Sequence, residues 1–252
     1  MTARVLDGRA AAQEIYERVA AGVAARLASG GSRPKLATVV VGDDPASAAY
    51  VRMKQANARH VGIDSEDHRL PASTTTEELL ALVESLNRDD TVSGILVQQP
   101  APRHIDMTRV ITALDPLKDV DGAHPFNAGM LALGFEGGIE PCTPAGIIAL
   151  LERAAVPIEG ANAVVVGRSN LVGKRTALLL LKRHATVSIC HTRTPDLAGH
   201  TRPADILVAA AGKANLITKE MVKPGAAVID VGTNWVDGKQ VGDLGAGVAD
   251  VA

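Results

Sequence analysis

Aromatic side chains and cysteines are scarce in this sequence of 252 residues. It contains one Trp, two Tyr and two Phe, so a buried core has to be built from Ala, Val, Leu and Ile, and the chain is long enough to bury a sizeable one. The two cysteines, Cys142 and Cys190, lack the spacing of a zinc site. The sequence therefore predicts no metal centre.

The sequence also lacks a marked excess of either charge. It has 26 basic and 28 acidic residues, and neither kind forms a run. Such a balance leaves no electrostatic footprint for nucleic acid or for an anionic membrane surface. No apolar stretch approaches the roughly 20 residues of a membrane helix, and no apolar secretion segment follows Met1. These absences predict a soluble cytoplasmic protein with a small-molecule partner, and with neither nucleic acid nor membrane as a partner.

Runs of β-branched residues bounded by Gly or Pro predict strands that are buried on both faces, as in a parallel sheet covered by helices. Six such runs occur, at residues 36–41, 94–98, 163–166, 186–190, 205–209 and 227–231. Segments with helical periodicity accompany them, at residues 7–28, 46–61, 76–87, 143–154 and 171–183. Asp44 before Pro45, and Thr76 before two glutamates, indicate two helix starts. This alternation predicts an α/β fold.

Gly and Pro concentrate in residues 119–141, which suits a crossing between domains. We expect two α/β domains, a first at residues 1–140 and a second at residues 141–252. The second is expected to be a Rossmann-type NADP-binding domain, with an active-site cleft between the two.

The dinucleotide prediction rests on a loop that follows the predicted strand at residues 163–166. The strand runs directly into Gly167-Arg-Ser-Asn-Leu-Val-Gly173 and then into a Leu-rich helix. Strand, glycine loop and helix together aim backbone N–H groups and a positive helix end at a phosphate. The spacing differs from G-x-G-x-x-G, and a glycine-bounded turn without a ligand explains the same residues.

The end of the next predicted strand indicates which dinucleotide binds. An Asp or Glu there holds the ribose 2′-OH of NAD, whereas a basic residue suits the 2′-phosphate of NADP. This strand ends in Cys190-His-Thr-Arg193 without an acid, and Arg193 and Arg168 would both lie near a 2′-phosphate. The sequence favours NADP, and two solvated surface arginines are the alternative.

Four residues in the first half carry groups suited to chemistry. Tyr50 and Lys54 are four apart on a predicted helix and share a face; a Tyr can stack on a planar ligand, and burial lowers the pKa of a lysine toward a useful value. Gln98 ends a predicted strand, and Asp121 precedes a glycine. Each has an alternative without a functional role. Tyr50 and Lys54 could be an ordinary exposed pair, Gln98 could cap a loop with its amide, and Asp121 could belong to an ordinary Asp-Gly turn.

Several segments together resemble the bifunctional methylenetetrahydrofolate dehydrogenase/cyclohydrolase family, in the family's order from about Leu6 to Asp243. They are Tyr50-Val-Arg-Met-Lys54 before Val61-Gly-Ile63, Gly94-Ile-Leu-Val-Gln98 with Pro100, Lys118-Asp-Val-Asp-Gly122, Pro141-Cys-Thr-Pro144, Gly167-Arg-Ser169 with Val172-Gly173, and Lys223-Pro-Gly225 through Val228-Ile-Asp-Val-Gly232. The resemblance implies oxidation of 5,10-methylenetetrahydrofolate to the methenyl form with NADP, followed by hydrolysis to 10-formyltetrahydrofolate.

The resemblance also implies roles for residues of the first domain. Lys54 would be the catalytic residue that assists water attack on the methenyl carbon, with its amine buried and partly neutral, and Gln98 would hydrogen-bond to it. Tyr50 would lie against the folate ring system, and Val51 would also bind the substrate. Asp121 would accept hydrogen bonds from the pterin amino edge, which consists of donors.

Residues of the second domain match positions that bind the nucleotide in the family. They are Gly167, Arg168, Ser169 and Thr192, with Arg193 nearby; Thr233 takes the place of a residue, commonly Ile, whose backbone meets the nicotinamide. The resemblance implies a homodimer. The chain departs from the family at Arg175, where Pro is common, and the 252 residues do not contain the family's Pro-Gly-Gly-Val-Gly-Pro segment and returning helix.

Two other functions compete with this one. A short-chain dehydrogenase also uses Tyr-x-x-x-Lys, but it places the glycine loop before that pair, whereas here Tyr50 and Lys54 precede Gly167. A non-catalytic NADP sensor would bind the cofactor without chemistry. Such a sensor has no need of Lys54, Gln98 and Asp121.

Overall fold

The computed structural model describes residues 3–252, apart from the side chains of residues 45–50. The chain divides into two compact units. We call Ala12–Met130 together with Gly137–Ile139 the first unit. The second unit comprises the N-terminal residues through Ala11, Leu131–Glu136 and Glu140–Ala252.

The first unit is built around a parallel sheet of three strands in the order β2-β1-β3. The elements of this part of the chain are α1 Gly8–Ala28, β1 Lys35–Val41, α2 Pro45–His60, β2 Asp64–Leu70, α3 Thr76–Arg88, β3 Gly94–Val97, α4 Met107–Ala113 and α5 Pro125–Leu133. One face of the sheet packs on α3 and α4 through a core that includes Val39, Leu79, Ile95 and Val110. On β1, the buried Thr38 hydroxyl accepts a hydrogen bond from Gln55 of α2 at 3.1 Å.

Both helix starts predicted for this unit are confirmed. α2 begins at Pro45, as the Asp44-Pro45 pair predicts. α3 begins at Thr76, and Thr75 is its cap: the Thr75 hydroxyl accepts from Glu78 N, and the Glu78 carboxylate accepts from Thr75 N. This reciprocal capping box satisfies two backbone donors and fixes the start of the helix.

The second unit holds a parallel sheet of four strands in the order β5-β4-β6-β7. Its elements are α6 Cys142–Arg153, β4 Asn162–Val166, α7 Gly173–Lys182, β5 Thr186–Cys190, α8 Leu197–Thr201, β6 Ile206–Ala209, β7 Ala227–Asp230 and the hairpin β8 Asn234–Val236 with β9 Lys239–Val241. Two separate apolar clusters cover the two faces of the sheet: one includes Ile148, Val165 and Leu180, and the other includes Val164, Leu207 and Ile217. The predicted doubly covered parallel sheet is confirmed.

Among residues 3–252, no helix combines the length and the apolar character needed to cross a membrane.

Candidate active site

The carboxyl edge of the first sheet is the place where a ligand is expected to bind. The chain forms β1 first, adds β2 on one side and then β3 on the other, so the strand order reverses between β1 and β3. In open α/β sheets, ligands bind outside the carboxyl ends of the strands at such a switch point. Gln98 directly follows β3 at this edge, and its backbone N–H donates to Val39 O at 2.8 Å.

Lys54 and Gln98 meet beside this edge. The Lys54 ammonium nitrogen Nζ lies 3.4 Å from Gln98 Oε1, and both side chains are half-buried. The other end of the Gln98 amide is also held, because Nε2 donates to Gln99 O at 2.6 Å. With Nε2 occupied, the amide presents its oxygen to Lys54, and the orientation of Gln98 is fixed on both sides.

Asp121 reaches the same edge through a short extension of the sheet. Asp119 forms a parallel bridge with Ile95, and Ile95 N donates to Lys118 O at 2.7 Å. The chain turns directly after this bridge, where Gly122 N donates to Asp119 O at 3.1 Å, and Asp121 lies in that turn. Asp121 therefore follows a segment paired with β3, the strand that Gln98 directly follows.

The electrostatics of Asp121 are those of a partly buried carboxyl group. Burial raises the pKa of Asp121, the charge of Lys54 opposes this, and the charge of Asp119 raises the pKa further. Because the charge of Lys54 is among the influences on this pKa, Lys54 lies close to Asp121. Lys54, Gln98 and Asp121 thus form one cluster.

The structure says less about Tyr50 and Val51. Tyr50 lies in α2, but its side chain is outside the described residues. Val51 is fully buried, with none of its surface exposed. Val51 therefore offers no surface to a ligand in this structure.

Sequence reasoning missed two buried residues that hold the loop bearing Asp121. Asp119 Oδ2 accepts hydrogen bonds from His124 N at 2.7 Å and from Asn127 Nδ2 at 3.0 Å. Asn127 is anchored in turn, since its Oδ1 accepts from Ile139 N at 3.0 Å. An Asp in an Asp-x-Asp-Gly turn gives no signal of this role, because the partner Asn127 lies eight residues away on α5.

The second unit offers a separate site at the carboxyl end of β4. There the strand order reverses between β4 and β6, which makes the edge a second switch point. The backbone approaches so closely that a Cβ added at Gly167 would lie 2.1 Å from Ala210 O, and the Gly167 φ of +134° also favours glycine. A Cβ at Gly173 would lie 2.2 Å from Gly167 O. Both glycines are therefore required by the loop itself.

Polar groups around this loop suit a phosphorylated nucleotide. The Ser169 hydroxyl accepts from Val172 N and Gly173 N at 3.2 and 3.3 Å, where α7 begins. Arg168 and Arg193 are exposed, and neither makes an ion pair with any residue that the structure describes. Thr192 lies beside Arg193 after β5 and is exposed, and no carboxylate follows that strand within residues 191–195. These residues fit a dinucleotide that carries a 2′-phosphate.

Thr233 follows β7 on the same carboxyl edge and is exposed. Its neighbours are fixed by two aspartates that sequence reasoning missed: Asp230 Oδ1 accepts from Gly232 N, and Asp243 Oδ1 accepts from Asn234 Nδ2. Asp243 follows a glycine after the hairpin, so in the sequence it reads as an ordinary turn residue.

Two family models match the chain. The catalytic domain of tetrahydrofolate dehydrogenase/cyclohydrolase matches residues 6–121, and the NAD(P)-binding domain of the same family matches residues 141–252.

Curated relatives and solved structures that resemble the chain belong to the same family. The chain is 56% identical to the bifunctional protein FolD of Sorangium cellulosum, over 97% of this chain and 85% of that protein. It is similar to the crystal structure of the bifunctional FolD dehydrogenase/cyclohydrolase from Campylobacter jejuni, with a TM-score of 0.96, 43% identity and coverage of 98% and 88%. A FolD structure from Trypanosoma brucei, complexed with NADP cofactor and inhibitor, has a TM-score of 0.92 and 38% identity over 99% of this chain and 88% of that one.

Proposed function

The chain belongs to the tetrahydrofolate dehydrogenase/cyclohydrolase family, and from this membership we propose how its residues perform the two activities. It is a bifunctional, NADP-dependent enzyme. It oxidises 5,10-methylenetetrahydrofolate to the methenyl form and hydrolyses that product to 10-formyltetrahydrofolate. We assign folate binding and catalysis to residues 1–140 and NADP binding to residues 141–252.

The contact between Lys54 and Gln98 carries the proposal for the cyclohydrolase step. In its neutral form, an amine that donates to Gln98 Oε1 keeps a lone pair, and this lone pair can accept a proton from water. Gln98 is held by Gln99 O, so it orients the amine without turning away. The pair is thus suited to position and activate one water molecule.

The hydrolysis can then be written with all atoms accounted for. The water oxygen bonds to the positively charged methenyl carbon while Lys54 takes a water proton. The hydroxyl group formed on that carbon then gives up its proton as the bond to N5 breaks; N5 keeps the electron pair of that bond and takes up a proton, and the carbon remains on N10 as a formyl group. One proton is released overall. Because the carbon is already cationic, the step needs no strong acid.

Asp121 serves to bind and orient the substrate. Its ionised carboxylate accepts hydrogen bonds from the donor edge of a pterin ring. Burial opposes this ionisation. We propose that Tyr50 binds the folate beside this group.

The dehydrogenase step uses the second unit. Bound NADP supplies the hydride acceptor. Gly167 allows the backbone to approach the cofactor, Ser169 and Thr192 contribute hydroxyl groups, and Thr233 contributes backbone next to the nicotinamide. Arg168 and Arg193 bind the 2′-phosphate, a role supported by their exposure and by the absence of a competing carboxylate within residues 191–195.

Replacement of the Lys54 amine tests the assignment directly. Lys54→Met keeps the length of the side chain and removes its proton acceptor, so decay of added methenyltetrahydrofolate should fall to the uncatalysed rate. Absorbance of the methenyl chromophore follows the reaction. The matched control is Arg59→Met, which removes an exposed cation from the same helix. This variant should hydrolyse methenyltetrahydrofolate at the rate of the unmodified protein. Normal turnover by Lys54→Met would refute the role of Lys54.

We also propose that the enzyme acts as a cytoplasmic homodimer with small-molecule partners only. Family resemblance supports the dimer, and the balanced charge supports the choice of partners. Light scattering of the purified protein should give about twice the chain mass of 26.1 kDa. A mass equal to that of one chain would contradict the dimer.

A further inference from the structure

Asp243 is a fully buried carboxylate that makes no ion pair with any described residue. Its oxygens instead receive four N–H donors. Oδ2 accepts from Ala211 N at 2.6 Å and Gly212 N at 3.0 Å, while Oδ1 accepts from Lys213 N at 2.8 Å and Asn234 Nδ2 at 2.9 Å. Three consecutive backbone N–H groups therefore converge on one side chain.

Such an arrangement is specific to a carboxylate. Burial of a charge is costly unless hydrogen bonds replace the lost water, and N–H groups that face a carboxylate make stronger bonds than those to a neutral acceptor. An amide of the same shape would point N–H groups at some of these donors. The conformation of residues 211–213, in which Gly212 has a φ of +63°, thus depends on the charge of Asp243.

The loop held by Asp243 lies where the two central strands of the second sheet end. Ala210 follows β6, and its carbonyl oxygen is the atom that a Cβ at Gly167 would strike at 2.1 Å. Gly167 in turn abuts Gly173 at the start of α7. A change in residues 211–213 is therefore passed by direct backbone contact to the loop that precedes α7.

A second aspartate links Asp243 to the end of β7. Asp230 Oδ1 accepts from Asp243 N at 2.9 Å and from Gly232 N at 3.1 Å, and Asp230 Oδ2 accepts from Leu244 N at 3.2 Å. The space around the pair is closed, because a Cβ at Gly232 would lie 2.1 Å from Asp243 Oδ1. Through Asp230 and Asp243, the loops after β6 and β7 are held as one assembly.

We propose that Asp243 is a positioning residue for the pyridine nucleotide, which it serves by fixing residues 211–213 against Gly167 and by tying them to the loop that bears Thr233. Asp243 does not touch the nucleotide; it sets the backbone that does. This inference rests on the NADP-dependent function proposed above.

The test is Asp243→Asn, which preserves the size of the side chain and removes its charge. NADP binding by the purified protein, measured by isothermal titration calorimetry, should weaken about tenfold or more, the cost of losing one hydrogen bond to a charged group. The KM for NADP in the dehydrogenase reaction should rise with it. Hydrolysis of added methenyltetrahydrofolate uses no NADP and should stay within about twofold, a change of less than half a kcal/mol.

The control is Asp250→Asn, which removes an exposed carboxylate from the same terminal segment and should leave NADP binding unchanged. If Asp243→Asn does not fold, Asn234→Ala removes a single donor to Asp243 and should weaken NADP binding in the same direction by a smaller factor. Unchanged NADP affinity in folded Asp243→Asn, or a parallel loss of both activities, would overturn the proposal. An unmodified protein that binds NADP but does not oxidise methylenetetrahydrofolate would instead refute the proposed function.

Discussion

Asp121 shows how a single functional residue opposes stability. Burial raises its pKa in the folded state above the unfolded value. The protonated form therefore stabilises the fold; this contribution is complete below the unfolded pKa of about 3.9 and is lost as the pH rises through the folded pKa. At neutral pH the ionised carboxylate lowers the stability of the fold, a cost that the proposed role of Asp121 in substrate binding explains.

Asp121→Asn should therefore raise the melting temperature at pH 7 while it weakens folate binding. The gain in melting temperature should shrink as the pH falls. It should disappear below about pH 3.9, where Asp121 is protonated in both the folded and the unfolded protein. Thermal unfolding at several pH values measures this gain. Asp90→Asn, on an exposed carboxylate of the same unit, should leave the melting temperature unchanged. A variant at position 121 that is less stable than the unmodified protein at pH 7 would contradict this view of the site.

At this scale, the sequence was informative where a residue ends a strand or belongs to a family motif. Gln98 is an example, because a polar residue at the end of a buried run points to the sheet edge. Asp119 and Asp243 were missed because their partners are distant in sequence. A buried carboxylate that accepts from backbone N–H groups and an Asn side chain looks like a turn residue until the fold brings those groups together.

Among the elements, the loop between β4 and α7 has the strictest requirements. Gly167→Ala places a Cβ against Ala210 O in a backbone conformation that L residues rarely adopt. NADP binding and dehydrogenase activity should be lost, whereas hydrolysis of methenyltetrahydrofolate should persist. Calorimetry with NADP and the two separate activity assays provide the measurements.

Gly146→Ala is the matched control for that substitution. Gly146 lies inside α6, and a Cβ added there meets nothing within 4 Å. Replacing a helical glycine with Ala should leave NADP binding intact and add roughly 0.5–1 kcal/mol of stability. Full NADP binding by Gly167→Ala would mean that the loop can rearrange at no cost.

The pattern of predicted and missed elements has a physical cause. All six predicted strands exist, each within one residue at either end, because buried parallel strands leave continuous apolar runs. β2 was missed because Asp64–Leu70 is an edge strand, and charged side chains are common on sheet edges. The short helices α4, α5 and α8 were missed since five to nine residues carry too little periodicity.

For the molecule as a whole, we propose that the choice between NADP and NAD depends on the charges of Arg168 and Arg193. Replacing Arg168 and Arg193 with Ser removes two cations that have no ion-pair partner among the described residues. The KM for NADP should rise about tenfold or more, while the KM for NAD should stay the same, because only NADP carries the 2′-phosphate. Steady-state kinetics with both cofactors measure the two KM values. The control is Lys239→Ser, which removes an exposed cation and should change neither KM. An equal effect on both cofactors would contradict these roles.

Fold and family could be predicted from the sequence because strand runs, glycine loops and ordered motifs are local. The arrangement of buried polar contacts was not predictable, since Asp119, Asp230 and Asp243 act through tertiary neighbours. The side chain of Tyr50, which the sequence also singles out, lies outside the described residues.

The central claim is that one chain first oxidises and then hydrolyses its folate substrate. It is tested most directly by adding 5,10-methylenetetrahydrofolate and NADP to the purified protein and following the absorbance of the methenyl product. The expected record is a rise as methenyltetrahydrofolate forms, then a decay to 10-formyltetrahydrofolate, with a slower rise when NAD replaces NADP. No methenyl signal with either cofactor would contradict the function, and faster oxidation with NAD would contradict the roles of Arg168 and Arg193.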